Sequence, residues 1–183
     1  MNRIEELDKI TQEFTKHFGS LSTEELNWKP NAKAWSIAQN IDHLMVINRS
    51  YFPILEKLRT GTYEPPFMAK FGFLVSFFGK TILKASSPDR RKRMKTFPIW
   101  EPDQSTLPGN IPDLFAGHQD ELKREMIACS ELLIKNTIIS TPANKNIVYR
   151  LETAFDIIVG HEQRHLAQSL ESPELLKKSR VSV

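Results

Sequence analysis

The chain has 183 residues, 40% of them hydrophobic and 26% charged, with a formal net charge of +3 at pH 7. That is the length of one ordinary domain with apolar residues enough for a buried core, and so small a charge creates no demand for a nucleic-acid partner. The single cysteine, Cys129, excludes an intrachain disulfide and fits a reducing compartment.

Helical periodicity dominates from the start, and alternating strand patterns are scarce. The first predicted helix carries Ile4, Leu7, Thr11, Phe14 and Phe18 on one stripe and ends near Gly19. Its charged beginning, Met1 to Glu6, lacks the apolar stretch of a signal peptide. A short link follows, in which Ser22 and Glu25 have the spacing of a capping box. The second helix starts at Ser36, a good N-cap with Gln39 three residues on. It presents Ile37, Ile41, Leu44, Tyr51, Leu55 and Leu58 on one face before Gly61, with a kink expected at Pro53.

From Thr62 to Pro108 the chain changes character. Pro65-Pro66 opens an aromatic segment, Phe67 to Leu83, which reads as a helix loosened at Gly72 and Gly79. Lys70 and Lys80 interrupt it, so it falls short of a membrane span. A basic cluster follows at Arg90, Arg91, Lys92, Arg93 and Lys95, best read as a solvated loop, and then a proline-punctuated stretch through Pro98, Trp100 and Pro108. The aromatic segment suits a lid, a dimer interface or an extension of the core. A third helix is expected from about Asn110 to Asn136, with Ile111, Phe115, His118, Leu122, Met126, Cys129 and Leu133 on its stripe. Thr141-Pro142 breaks the chain. A fourth helix, roughly Val148 to Leu170, buries Leu151, Phe155, Ile158 and Leu166, with Pro173 just past its end. The pattern predicts an all-α, single-domain chain, a four-helix bundle with the 62–108 excursion inserted between helices two and three.

The fourth helix contains His161-Glu162-Gln163-Arg164-His165. Two imidazoles four residues apart project from one helical face and can reach a single metal ion. Only five histidines occur in the chain, and a third, His43, lies at the edge of the buried stripe of helix two. Three neutral imidazoles suit Zn²⁺, Ni²⁺ or Fe²⁺, and three protein ligands leave a coordination position open, as catalytic sites do. The run also fits the H-E-x-x-H pattern of zinc proteases. The eighteen residues after His165 offer no third histidine, however, and no edge strand is in sight to hold a peptide.

Two stretches, Trp35-Ser36-Ile37-Ala38-Gln39-Asn40-Ile41-Asp42-His43-Leu44 and His161-Glu162-Gln163-Arg164-His165-Leu166-Ala167-Gln168, resemble the DinB/YfiT-like metal-binding four-helix bundles. The resemblance spans both ends of the chain and implies that His43, His161 and His165 bind one divalent metal, commonly nickel or zinc. Relatives in that family include transferases using low-molecular-weight thiols such as bacillithiol or mycothiol, and a maleylpyruvate isomerase. Others are described as metal-dependent hydrolases. The excursion is longer than in a minimal member, so no substrate pocket carries over.

Among the remaining residues, Glu162 projects inward, where a carboxylate must be paired, metal-adjacent or protonated. It is the candidate catalytic residue as a general base. A role orienting a histidine, or pairing with Arg164 or Arg150, is the stronger reading. His118 reads as a hydrogen-bonded core histidine rather than a fourth ligand, His17 as solvated, Cys129 as a buried small hydrophobe, and Trp35 as packing the start of helix two. The expected function is metal-dependent transfer of an exogenous thiol to a small substrate, or its hydrolysis. A metal- or partner-binding bundle without catalysis is the alternative, including a stress-related interaction protein. A homodimer is compatible with the apolar excess; neither nucleic acid nor membrane is expected as a partner, and the location expected is the cytoplasm.

Overall fold

A computed structural model describes residues 2–87 and 96–181, with side chains through residue 171. The basic cluster from Arg90 to Lys95 lies outside the described residues. The elements in chain order are helices α1 (Arg3–Phe18), α2 (Thr23–Asn27), α3 (Ile37–Arg59) and α4 (Gly72–Ser86), then α5 (Ile111–Ala128) and α6 (Ser130–Ile134). Strands β1 (Ile138–Thr141) and β2 (Asn144–Arg150) and helix α7 (Leu151–Val181) complete them. The fold is mostly helical with one small two-stranded sheet.

The early helix boundaries follow local chemistry. Ser22 and Ser36 both form capping boxes, with Glu25 and Gln39 returning to the cap backbone. Each satisfies donors that the first helical turn leaves without intrahelical partners. Pro53 is accommodated inside α3. The helix stops at a turn in which Gly61 adopts φ 71°, a left-handed conformation that residues with a Cβ resist.

Leu7, Ile10, Phe14 and Phe18 bury one face of α1, and Phe14 meets Phe115 of α5 edge-on at 4.8 Å between ring centroids. Helix α1 packs on α5 and α7, and α3 packs on the same two helices, so one core serves all four. Helix α4 lies outside that group against β2 and α7. Gly79 makes its approach close: a Cβ there would lie 3.4 Å from Thr153 Cγ2 and 3.5 Å from the Tyr149 Cβ.

Four expectations are corrected. The third helix does not run unbroken to Asn136. Cys129 leaves helical geometry (φ −101°, ψ 9°) and its N–H turns to Met126 O, dividing α5 from α6. The weak helix formers Ile127, Cys129 and Ser130 gather at that joint. Second, residues 138–150 form an antiparallel hairpin, with β2 occupying the expected start of the fourth helix. The β-branched residues Ile138, Ile139, Thr141, Ile147 and Val148 flank the turn at Pro142-Ala143, but the runs are too short to show a clear alternation. Third, α7 begins at Leu151 and runs through Pro173 to Val181. A proline removes one helical hydrogen bond, and the strong helix formers after it, Glu174, Leu175, Leu176, Lys177 and Lys178, offset that loss. The aromatic segment also divides, into a 3₁₀ turn at Phe67–Lys70 and α4.

Phe115 is fully buried at the meeting of α1 and α5. Phe115→Ala is expected to lower unfolding stability by about 3–5 kcal/mol through lost burial and the cavity it leaves, read as a lowered urea midpoint.

Candidate metal centre

The capping box at Ser36 sets the phase of α3, placing Asn40 and His43 one turn apart on the face turned towards α7. On α7, the four-residue spacing stacks His161 and His165, whose Nε2 atoms lie 3.1 Å apart. One ligand atom from each of His43, His161 and His165 falls within 4.8 Å of the others. The three residues expected as ligands are therefore brought together from two helices.

Two of the rings are held from behind. His43 Nδ1 lies 2.6 Å from the Trp100 carbonyl, and His165 Nδ1 lies 2.7 Å from Asn40 Oδ1. A carbonyl only accepts, so His43 must donate from Nδ1. Asn40 uses its own NH₂ to donate to Ser36 O, which leaves its Oδ1 to accept from His165. Both tautomers then carry the lone pair on Nε2, towards the cluster. Such a partner behind the ring is what fixes a histidine ligand.

The electrostatics agree. Burial above all holds each imidazole in the neutral form that a metal requires, and for His161 and His165 their positive neighbours add to it. His43 is brought down to about 4 by burial. His161 falls to about 3 through burial, His43 and Arg164, and His165 lies well below 6.5 through burial and the other two histidines. His43 and His165 are buried, whereas His161 keeps part of its surface exposed and marks the accessible side. Three neutral, converging imidazoles, two of them with oriented lone pairs, fit a divalent metal.

Neither Asn40 nor Trp100 was anticipated as part of this centre. Asn40 left a faint trace, a polar residue three before His43 on a buried stripe. Trp100 acts through its backbone, which no side-chain pattern reveals. Its segment is strapped to α3: Asp103 N–H donates to Asp42 Oδ2 at 2.9 Å, Gln39 Nε2 donates to Asp103 O at 3.0 Å, and Trp100 Nε1 donates to Ser50 Oγ at 3.1 Å. Trp35 also departs from its expected role. Its ring stands 4.6 Å from His43 and lies nearly parallel to His165 (19°, 6.0 Å), so it forms a wall of the centre.

Glu162 is fully buried, and its partners are neither Arg164 nor Arg150. Asn48 Nδ2 donates to Oε1 at 2.7 Å and Gln119 Nε2 donates to Oε2 at 2.6 Å. The carboxyl thereby ties α7 to α3 and α5. Burial pushes it up to about 7 against the two amide donors, which favour the carboxylate. Arg164 instead donates to Ala85 O at 2.7 Å, joining α7 to the end of α4. His118 is buried in the core, stacked on Phe52 at 5.8 Å and lowered to about 4 by burial and Arg49, but neither ring nitrogen has a hydrogen-bond partner among the described residues, unlike the hydrogen-bonded histidine expected. His17 is exposed beside Glu13, and Cys129 is buried with its thiol pushed up by burial.

Two outcomes follow from these contacts. In metal-free protein, His43 and His118 stay neutral down to about 4, while their unfolded counterparts protonate near 6.5. Their contribution is complete above pH 6.5 and is lost as the pH falls towards 4. Glu162 acts in the opposite sense, holding a proton up to about 7 that the unfolded chain releases near 4.5. The histidines outnumber it, so urea midpoints should fall on acidification below pH 6.5, and Glu162→Gln should steepen that fall. Separately, Asn40→Ala should weaken zinc binding by about 10–100-fold in chelator competition, whereas Asn40→Asp, which keeps an acceptor, should retain most of the affinity.

No curated protein and no solved structure matches the chain. A family model, the DinB superfamily, matches residues 6–169, a span that contains all three clustered histidines and nearly the whole helical core. On that match, the chain belongs to the DinB superfamily.

Proposed function

We propose that this chain is a divalent-metal protein in which His43, His161 and His165 hold one ion, zinc or nickel before iron. We further propose that it is a cytoplasmic enzyme acting on a small substrate by transfer of a low-molecular-weight thiol or by hydrolysis. In this reading α1, α3, α5 and α7 are the four-helix bundle of the DinB type. The observation that carries it is the convergence of three neutral imidazole nitrogens within 4.8 Å, two fixed from behind and the third on the accessible side.

A divalent metal held by His43, His161 and His165 would supply Lewis acidity, which would favour the deprotonated form of a thiol or water. The chain's own residues do the rest. Asn40 and the Trp100 carbonyl keep the two buried rings in register, so little reorganisation is needed when an ion arrives. Trp35 covers the His43 and His165 rings and excludes water from that flank. Substrate approach is left to the side of His161. With both oxygens engaged by amides, Glu162 serves first to fix the rotation of α7 beneath the histidines. A position near 7 also makes it the candidate acid–base group if it is released from Asn48 or Gln119.

Elemental analysis of untagged protein, purified without added metal, should find about one equivalent of zinc, nickel or iron that His161→Ala loses. Screens for thiol transfer and small-substrate hydrolysis with that metal then test catalysis. Glu162→Gln that keeps its metal and loses turnover would establish acid–base chemistry; unchanged turnover would leave it a tie. Protein that is metal-free and refuses zinc and nickel would sink the metal reading. A fully loaded centre without turnover in either screen would favour a metal-binding interaction protein.

A further inference from the structure

Helix α4 has two faces of different chemistry. Val75, Gly79 and Ser86, with the half-buried Ile82, turn inward against β2 and α7. On the opposite side Phe73, Phe77, Lys80 and Lys84 follow one another at spacings of four, three and four, a single outward stripe. Phe73 is 71% exposed and Phe77 60%; on the preceding turn Phe67 is 64% and Phe71 37% exposed. Three of these rings touch in series, Phe67 to Phe71 at 5.3 Å and Phe71 to Phe73 at 6.2 Å between centroids, so they make one patch. Lys70 Nζ stands 5.4 Å from the centre of the Phe67 ring.

Isolated exposed apolar residues are ordinary, but contiguous aromatics rimmed by one sign of charge mark a contact surface. Residues 65–88 contain Lys70, Lys80 and Lys84 and no aspartate or glutamate. We propose that the outward face of α4, with the turn before it, docks in the plane of an anionic lipid surface. Phenylalanines would enter the boundary between headgroups and acyl chains, and the lysines would meet the negative headgroups. A second copy docked through the same face about a two-fold axis would bring the lysines of both copies together with no acid on α4 or its preceding turn to pair with them. The charge therefore favours lipid over self-association.

The docking differs from insertion. Among the described residues no helix is long and apolar enough to cross a membrane, and the inner face of α4 is already committed to the protein. The stripe supplies none of the three clustered histidines and none of the hydrogen bonds described for them, so the docking is tested apart from the metal.

The test is flotation of the full chain with phosphatidylcholine vesicles, with and without about 30% phosphatidylserine. The wild type should float with the anionic vesicles and not with the neutral ones, and should be released between about 0.05 M and about 0.5 M salt. Lys80→Glu with Lys84→Glu, and separately Phe73→Ser with Phe77→Ser, should each weaken binding by about tenfold or more. All four side chains are exposed, so both variants should keep wild-type circular dichroism and metal content. Absence of flotation, or equal flotation with neutral vesicles, would overturn the proposal. So would a concentration-dependent dimer in sedimentation velocity that the phenylalanine variant dissolves, which would assign the face to a second copy.

Discussion

The seam between α3 and α7 is the constraint on which the rest of the molecule turns. Asn40, His43 and Asn48 on one helix face His161, Glu162 and His165 on the other, and all but His161 are buried. Buried polar groups are costly unless each finds a partner, and here the partners come largely from the opposite helix. Asn40 accepts from His165, and Asn48 donates to Glu162. Two helices joined in this way have one permitted rotation and one permitted offset, because a slip in either would leave several desolvated groups unpaired at once. The apolar core around Phe14, Phe115 and Phe155 supplies the burial; the seam supplies the register.

That register is completed from outside the seam. Gln119 brings α5 to the Glu162 carboxyl, so a single buried acid locks three helices beneath the histidines. The returning arm of the 62–108 excursion contributes a backbone carbonyl to His43 and is itself strapped to α3 through Asp42, Gln39 and Ser50. The insertion thus serves the centre through its far end. Its aromatic part does something different, packing α4 against the hairpin and α7 and presenting phenylalanines and lysines outward.

The same helix α7 therefore mediates between the histidines and α4. Arg164, one residue before His165, donates to the Ala85 carbonyl at the end of α4. Gly160, one residue before His161, lies close enough that a Cβ there would be 3.6 Å from Ser86 O. Small residues at 79 and 160 let α4 approach, and a charged donor caps its last turn.

Local chemistry made much of this legible in the sequence. The capping boxes at Ser22 and Ser36, the apolar stripes of α1 and α3 and the four-residue spacing of His161 and His165 depend on contacts within a few residues, and they stand where the sequence places them. Membership of the DinB superfamily was likewise readable from the segments around His43 and His161. The hairpin at 138–150 and the break at Cys129 were not, because short strands and helix joints are decided by what packs on them. Nor were the Trp100 carbonyl behind His43, the ring of Trp35 over His165, or the amides of Asn48 and Gln119 on Glu162. Those contacts join residues 43 to 130 positions apart along the chain, and a backbone acceptor carries no side-chain signature. The sequence by itself determined which residue types are available to hold a metal. Only the tertiary structure decided which nitrogen of His43 and of His165 faces inward, because that depends on acceptors delivered by other elements.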